Sequence, residues 1–256
     1  LGCAKLPRDV TNVVCNNAEK LALEASGFTD IRIGGLPFAY IKRQHTRYQT
    51  DMLLAFPPHS AEVERLTEDQ AAYMDYLVTM KQFFEAVYVS VYSIDMDGPL
   101  HKAAQVRGLH VAQGARPDDA NSLLRTRAML DLFTHVTTNT MGSHMLYALF
   151  AGCKFSFCGP MYAHDESVWL ADQNPHGHSS EFIQLMLKVS SEPYLREKFG
   201  RFFVDDPRLG LQDASFAADS IGERSAMTPQ QIEDALGWGV LGQIKGHVTG
   251  ARRRLG

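Results

Sequence analysis

The residues of this chain best suited to chemistry are hydroxyl, amide and imidazole groups placed just ahead of apolar helical stretches. Thr137-Thr138-Asn139-Thr140-Met141-Gly142-Ser143-His144 runs directly into the apolar residues 145–150. Backbone N–H groups at a helix N-terminus attract anions, because the helix dipole places partial positive charge there, and a glycine lets a ligand approach the backbone. The pattern is that of a phosphate cradle, with Thr138, Asn139, Thr140, Gly142 and Ser143 as binding groups and His144 as a group able to move a proton or offset charge. The plainer alternative is that Thr140 or Ser143 only caps the helix while Gly142 makes a tight turn.

A second set follows residues 51–56, where Pro57-Pro58 stiffens a turn that presents His59 and Ser60. His59 is suited to binding a phosphate or carboxylate or to proton transfer, whereas Ser60 equally suits a helix N-cap. Gly114 and Arg116 offer a flexible turn and a guanidinium for an anion; Arg116 also suits a surface pair with Asp118 or Asp119. Asp95 and Asp97 fit a cation, a sugar hydroxyl or simply a solvated turn. His164-Asp165-Glu166 and His176-Gly177-His178 contain metal-ligating types, but their spacing alone builds no tetrahedral set, and no metal is expected.

These groups need elements to hold them. A continuous apolar run at 51–56 and the stretches 86–92, 109–112, 136–138 and 153–158 read as buried strands, and they alternate with helical patterns at 61–84, 101–107, 121–133 and 145–150. Alternation of this kind predicts an α/β fold: a parallel sheet joined by right-handed crossovers, with helices on both faces. Ligands of such sheets bind beyond the carboxyl ends of the strands, where all the groups above fall. Ahead of this region lie a strand at 10–15, a helix at 17–26 ended by Gly27 and a strand at 31–33. The polar stretch 42–49 then reads as a linker. The expected organisation is the end of one lobe over 1–45, a nucleotide-binding lobe over 46–215 and a helical segment over 216–256. Within the later residues, helices are expected at 180–190, 191–203 and 229–236.

Composition narrows the partners. The 256 residues are 45% hydrophobic and 21% charged, with a formal net charge of -4, which is ordinary for a globular protein. Mild acidity disfavours nucleic acid, whose phosphates require a concentrated basic face. Only Arg252-Arg253-Arg254 is locally basic, a tail suited to solvent or to peripheral contact with an anionic membrane. No apolar run approaches the roughly 20 residues that span a bilayer, and the N-terminus lacks a secretion-signal pattern, so a cytoplasmic setting is expected. Cys3, Cys15, Cys153 and Cys158 lack Cys-x-x-Cys spacing and are expected to be reduced and mostly buried.

The sequence contains no complete Gly-x-Gly-x-x-Gly, no P-loop and no Gly-x-Ser-x-Gly elbow. Three stretches, Gly34-Gly35-Leu36-Pro37-Phe38-Ala39-Tyr40, Phe56-Pro57-Pro58-His59-Ser60 and Thr137 through Ala148, resemble bacterial glycosyltransferases of the two-lobed GT-B fold, of the surface-polysaccharide type. The resemblance implies a Rossmann-like C-terminal lobe that holds a nucleotide-sugar donor, preceded by a remnant of a second lobe. It implies transfer of the sugar to a glycan or lipid-linked acceptor, with Gly142, Ser143 and His144 at the donor phosphate, and no cofactor or metal. By the same likeness His59 and His144 are the expected catalytic groups. Only about 45 residues precede the linker, against a full first lobe in GT-B enzymes, so the group that activates the acceptor is expected to lie outside this chain. A nucleotide-sugar 2-epimerase and a non-catalytic nucleotide-binding remnant are the competing expectations.

Overall fold

The computed structural model describes residues 10–46, 51–58, 67–116, 118–163, 180–239 and 243. The chain divides into two compact units. Lys42–Ala214 forms the body of one, and Lys5–Ile41 with Ser215–Gly256 forms the other.

The larger unit is built on a five-stranded sheet. Its strands are β3 (Met52–Phe56), β4 (Ala86–Val91), β5 (His110–Gln113), β6 (His135–Thr138) and β7 (Lys154–Phe157), after β1 (Asn12–Val14) and β2 (Ile31–Ile33) of the smaller unit. The order across the sheet is β5-β4-β3-β6-β7, and every pair is parallel. The expected Rossmann-like α/β architecture is therefore present.

The connections are helical: α2 (Glu68–Met80) joins β3 to β4, α3 (Pro99–Val106) joins β4 to β5, α4 (Ser122–Leu132) joins β5 to β6, and α5 (Ser143–Phe150) joins β6 to β7. Because right-handed crossovers that advance in opposite directions fall on opposite faces, the reversal of order at β3 distributes these helices to both sides. On one face Leu53, Ala55, Val87, Val89 and Val91 pack with Tyr73, Met74 and Leu77 of α2 and Leu100, Ala103 and Ala104 of α3. On the other, Leu54, Val136 and Phe155 stand side by side in register, Phe133 meets Tyr88 edge-on at 5.1 Å, and α5 packs on β7.

Several elements differ from their sequence expectation in extent. The helix expected at 61–84 is described from Glu68 to Met80, started by a capping box in which Thr67 and Gln70 exchange hydrogen bonds. The helix expected from 101 begins at Pro99, since proline suits a first helical turn whose N–H groups lack partners anyway. That expected from 145 begins at Ser143. Residues 191–203 divide into α7 (Glu192–Phe199) and a 3-10 turn, following α6 (Ser180–Ser190).

A buried ion pair anchors the chain segment that enters this unit. Arg127 Nε lies 2.9 Å from Asp131 Oδ1, both side chains being almost fully buried, and Asp131 Oδ2 accepts the backbone N–H groups of Gln44 at 2.6 Å and His45 at 3.2 Å.

The smaller unit pairs β1 (Asn12–Val14) in parallel with β2 (Ile31–Ile33) through α1 (Asn17–Ala25), capped by Asn16. Helices α8 (Ala214–Ile221) and α9 (Pro229–Leu236) come from the far end of the chain; α8 was not expected from sequence. Their attachment is specific. Leu36 N–H donates to Ile221 O at 2.7 Å, Asn16 Nδ2 donates to Ser220 O at 3.0 Å, and the Tyr40 hydroxyl donates to Gly34 O while accepting Met227 N–H. Gly35 and Gly222, both at positive φ, touch backbone to backbone, leaving no room for a Cβ on either. The expected helical segment 216–256 falls in the same unit as residues 5–41.

Candidate functional site at the sheet switch point

The strand order reverses between β3 and β6, which are hydrogen-bonded neighbours whose connections leave in opposite directions. The crevice at such a reversal is where open parallel sheets take their ligands. Here it is bounded by the turn after β3, Phe56-Pro57-Pro58, and the turn after β6, Asn139 through Gly142.

Thr138 organises this edge. Fully buried, its Oγ1 donates to Phe56 O at 2.6 Å and accepts Thr140 N–H at 3.2 Å, so it ties the end of β6 to the end of β3 and shapes the next turn. Asn139, also fully buried, uses Nδ2 to donate to Pro160 O at 2.9 Å, and its backbone carbonyl accepts Tyr162 N–H at 2.9 Å. Its Oδ1 has no hydrogen-bond partner among the described residues. Thr138 and Asn139 therefore act as the frame of the turn, and Thr140 is buried beside them.

Helix α5 begins immediately beyond. Its N-cap is Gly142, in extended backbone geometry, and no side chain caps the helix. The sequence alternative in which Thr140 or Ser143 caps α5 is thus not what forms. Met145 N–H turns back to Gly142 O at 3.2 Å, while Ser143, the first helical residue, is exposed. A helix start of eight residues with its dipole unopposed by a capping oxygen suits an anion.

His144 completes the crevice. Its imidazole stacks on the phenyl ring of Phe56, centroids 4.9 Å apart and planes 4° from parallel. Its Cε1–Nδ1 edge lies against Gly142, where a Cβ would fall 2.5 Å from both atoms. Both rings are half-buried.

The surroundings are held by α2. Gln70 Nε2 donates to Pro58 O at 3.0 Å, Asp69 Oδ2 accepts Ala163 N–H at 3.1 Å, and the Tyr76 ring presses against Gly159, whose φ is +80°. Burial holds the Tyr73 and Tyr76 phenols well above their ordinary range and raises the Cys158 thiol, so none of the three supplies an anion near neutrality. Cys153 and Cys158 are buried as expected, whereas Cys15 is only half-buried.

Gly114 and Arg116 fall elsewhere on the rim. They follow β5, three places from β6 in the sheet order, so the fold does not bring them to the α5 N-terminus. Gly114 fits closely over Val91 and Ser90, and Arg116 forms a two-pronged, exposed pair with Asp118 at 2.6 and 2.9 Å. After β4, Asp97 takes a left-handed turn at φ 68° and its N–H donates to His101 Nδ1 at 2.8 Å, while Asp95 of the same loop is buried. His59 and Ser60, like 164–178 with its metal-ligating types, lie outside the described residues. Among the described residues, no three His, Cys, Asp or Glu side chains converge as a metal site, and no helix is long and apolar enough to cross a membrane.

The smaller unit contains a separate cavity of ~310 Å³, lined by Val13, Pro37, Tyr40, Met227, Ile232 and Leu236 with Gly34 and Gly35. Its side chains are apolar except for Tyr40, whose hydroxyl is committed to Gly34 and Met227.

Solved structures that resemble this chain include the following three. A mutant of TarM from S. aureus, in complex with Fondaparinux, alpha-GlcNAc-glycerol and UDP, matches at 15% identity over 88% of this chain and 40% of that one, with a TM-score of 0.35. A second TarM structure matches at 12% identity over 84% of this chain and 39% of that one, with a TM-score of 0.33. The C-terminal domain of the glycosyl transferase group 1 family protein LpcC from Francisella tularensis matches at 12% identity over 64% of this chain and 98% of that domain, with a TM-score of 0.32. The chain spans about two fifths of the length of the TarM structures. No protein-family model and no curated protein matches the sequence. The architecture itself rests on the strand order and the helices between the strands.

Proposed function

We propose that the larger unit binds the nucleotide-sugar donor of a glycosyl transfer, with the donor phosphate at the N-terminus of α5. The observation that carries this reading is the helix start at the sheet switch point: Gly142 leaves α5 without a side-chain cap, Ser143 is exposed, and His144 stands beside it over Phe56. The resemblance in the sequence motifs supports a GT-B-type transferase.

In that reaction the hydroxyl oxygen of a glycan or lipid-linked acceptor forms a bond to the anomeric carbon as the bond from that carbon to the donor phosphate breaks. The electron pair leaves with the phosphate. Preorganised N–H groups at the α5 start and the imidazole of His144 stabilise the charge that develops there. His59 assists at the phosphate or at the acceptor, and the proton lost by the acceptor passes to a general base. Fixed N–H donors and an imidazole offset the phosphate charge without a metal.

A thermal-shift panel of UDP, CMP and GDP, on the chain and on a Ser143→Ala, His144→Ala variant, tests the reading. One nucleotide is expected to raise the melting temperature, and the variant to lose most of that rise. An equal rise in both proteins would remove the phosphate from α5. Nucleotide binding without sugar transfer, or release of an epimerised sugar nucleotide, would instead favour the remnant or the epimerase.

A further inference from the structure

The geometry points to Phe56 and Gly142 as positioning residues that together form a slot for the His144 imidazole; this rests on the donor-site reading above. Two independent features build the slot. From one side the Phe56 ring lies parallel to the imidazole, 4.9 Å away and 4° from coplanar orientation. At its Cε1–Nδ1 edge, the space a Cβ would occupy on Gly142 is taken by the imidazole itself, 2.5 Å from both atoms.

Gly142 has an extended backbone, so no unusual conformation demands glycine at this position. What demands it is the ring that folds back from two residues later. The site residue read from sequence as a point of backbone approach to phosphate is, in the fold, first a clearance for histidine.

Phe56 is itself fixed. Its carbonyl is hydrogen-bonded by buried Thr138, and its strand is paired with β4 on one side and β6 on the other. The aromatic face is therefore presented from the sheet, while the imidazole comes from α5. An aromatic wall against its face and the Gly142 backbone at its Cε1–Nδ1 edge restrict where the ring can sit, as a preorganised group needs. A phenyl face also favours a cationic partner over a neutral one, so the slot accommodates the imidazolium that a bound phosphate dianion would stabilise.

The test uses the full chain and reads the imidazole directly. The Cε1–H resonance of His144, assigned by its loss in His144→Gln, is expected to be displaced in the wild type by the ring current of the stacked Phe56. It should move to an ordinary histidine position in Phe56→Leu, which keeps apolar bulk, and in Gly142→Ala, which fills the slot. The functional arm is a double-mutant cycle on the dissociation constant for UDP. Phe56→Leu is expected to weaken binding in the wild type by about the same factor as His144→Gln, and to add nothing in the His144→Gln background. An unmoved His144 resonance in Phe56→Leu, or fully additive losses, would overturn the slot. If the wild type binds no UDP, the donor-site reading falls, and the resonance arm still decides whether the slot exists.

Discussion

The Thr138 hydroxyl donates to the carbonyl oxygen of Phe56 at 2.6 Å, bridging the carboxyl ends of two parallel strands that lie 82 residues apart in sequence. That one bond sits where the strand order reverses. It sets the turn that leads into α5 and fixes the residue on which His144 stacks.

Thr138→Val keeps the shape of the side chain but leaves Phe56 O and Thr140 N–H without their partner. Each unmet buried group costs ~1–3 kcal/mol. Urea denaturation is expected to show a loss of about that size, largely restored in Thr138→Ser.

Two glycine replacements should diverge. Gly159→Ala places a methyl group 2.6 Å from the Tyr76 ring at a φ of +80°, so it should destabilise by at least ~1–3 kcal/mol. Gly200→Ala, at φ -50° with nothing within 4 Å of the new methyl, should be neutral or stabilising by up to ~1 kcal/mol. Paired denaturation curves check both.

Much of this fold is legible in the residues. The alternation of strand-like stretches and helical patterns locates all five strands of the larger sheet, most plainly at the apolar β3 and β4, whereas β5 and β6 carry polar residues. The turn from Thr137 to His144 stands out for the same local reason: hydroxyls and glycine before an apolar helix. What sequence does not carry is adjacency. Phe56 and His144 meet only because β3 and β6 are neighbours in the sheet; a doubly wound strand order would have supplied that signal. Thr138 and Asn139 look like ligands in sequence, yet the fold turns both hydrogen-bonding side chains inward to hold the turn. Arg116 has a nearer carboxylate in Asp118. The start of helix α8 is legible too, since Asp213, a favoured N-cap type, immediately precedes Ala214.

Acid should loosen the sheet at its other end. His135 is buried, its Nε2 has no hydrogen-bond partner among the described residues, and burial, with Lys154 beside it, lowers its pKa from the ordinary 6.5. The folded state thus binds this proton more weakly than the unfolded state does. The stability that neutral His135 contributes is fully present above pH 6.5 and is lost as pH falls from there through the lowered folded value. His135→Gln should flatten that part of the stability profile, measured by denaturation between pH 7 and pH 5.

Removing one half of the Arg127 and Asp131 pair leaves a buried charge and two backbone N–H groups without partners. Asp131→Ala is expected to cost ~3–5 kcal/mol in chemical denaturation. The same change should speed amide hydrogen exchange at Gln44 and His45, whose N–H groups it frees.

The most direct test of the donor-site account is a titration of the isotope-labelled chain with UDP, followed by backbone amide NMR. The account predicts that the largest shifts fall on the N–H groups of Ser143 and His144, with smaller ones at Phe56 across the crevice. Saturable shifts confined to other residues, with Ser143 and His144 unmoved, would contradict it.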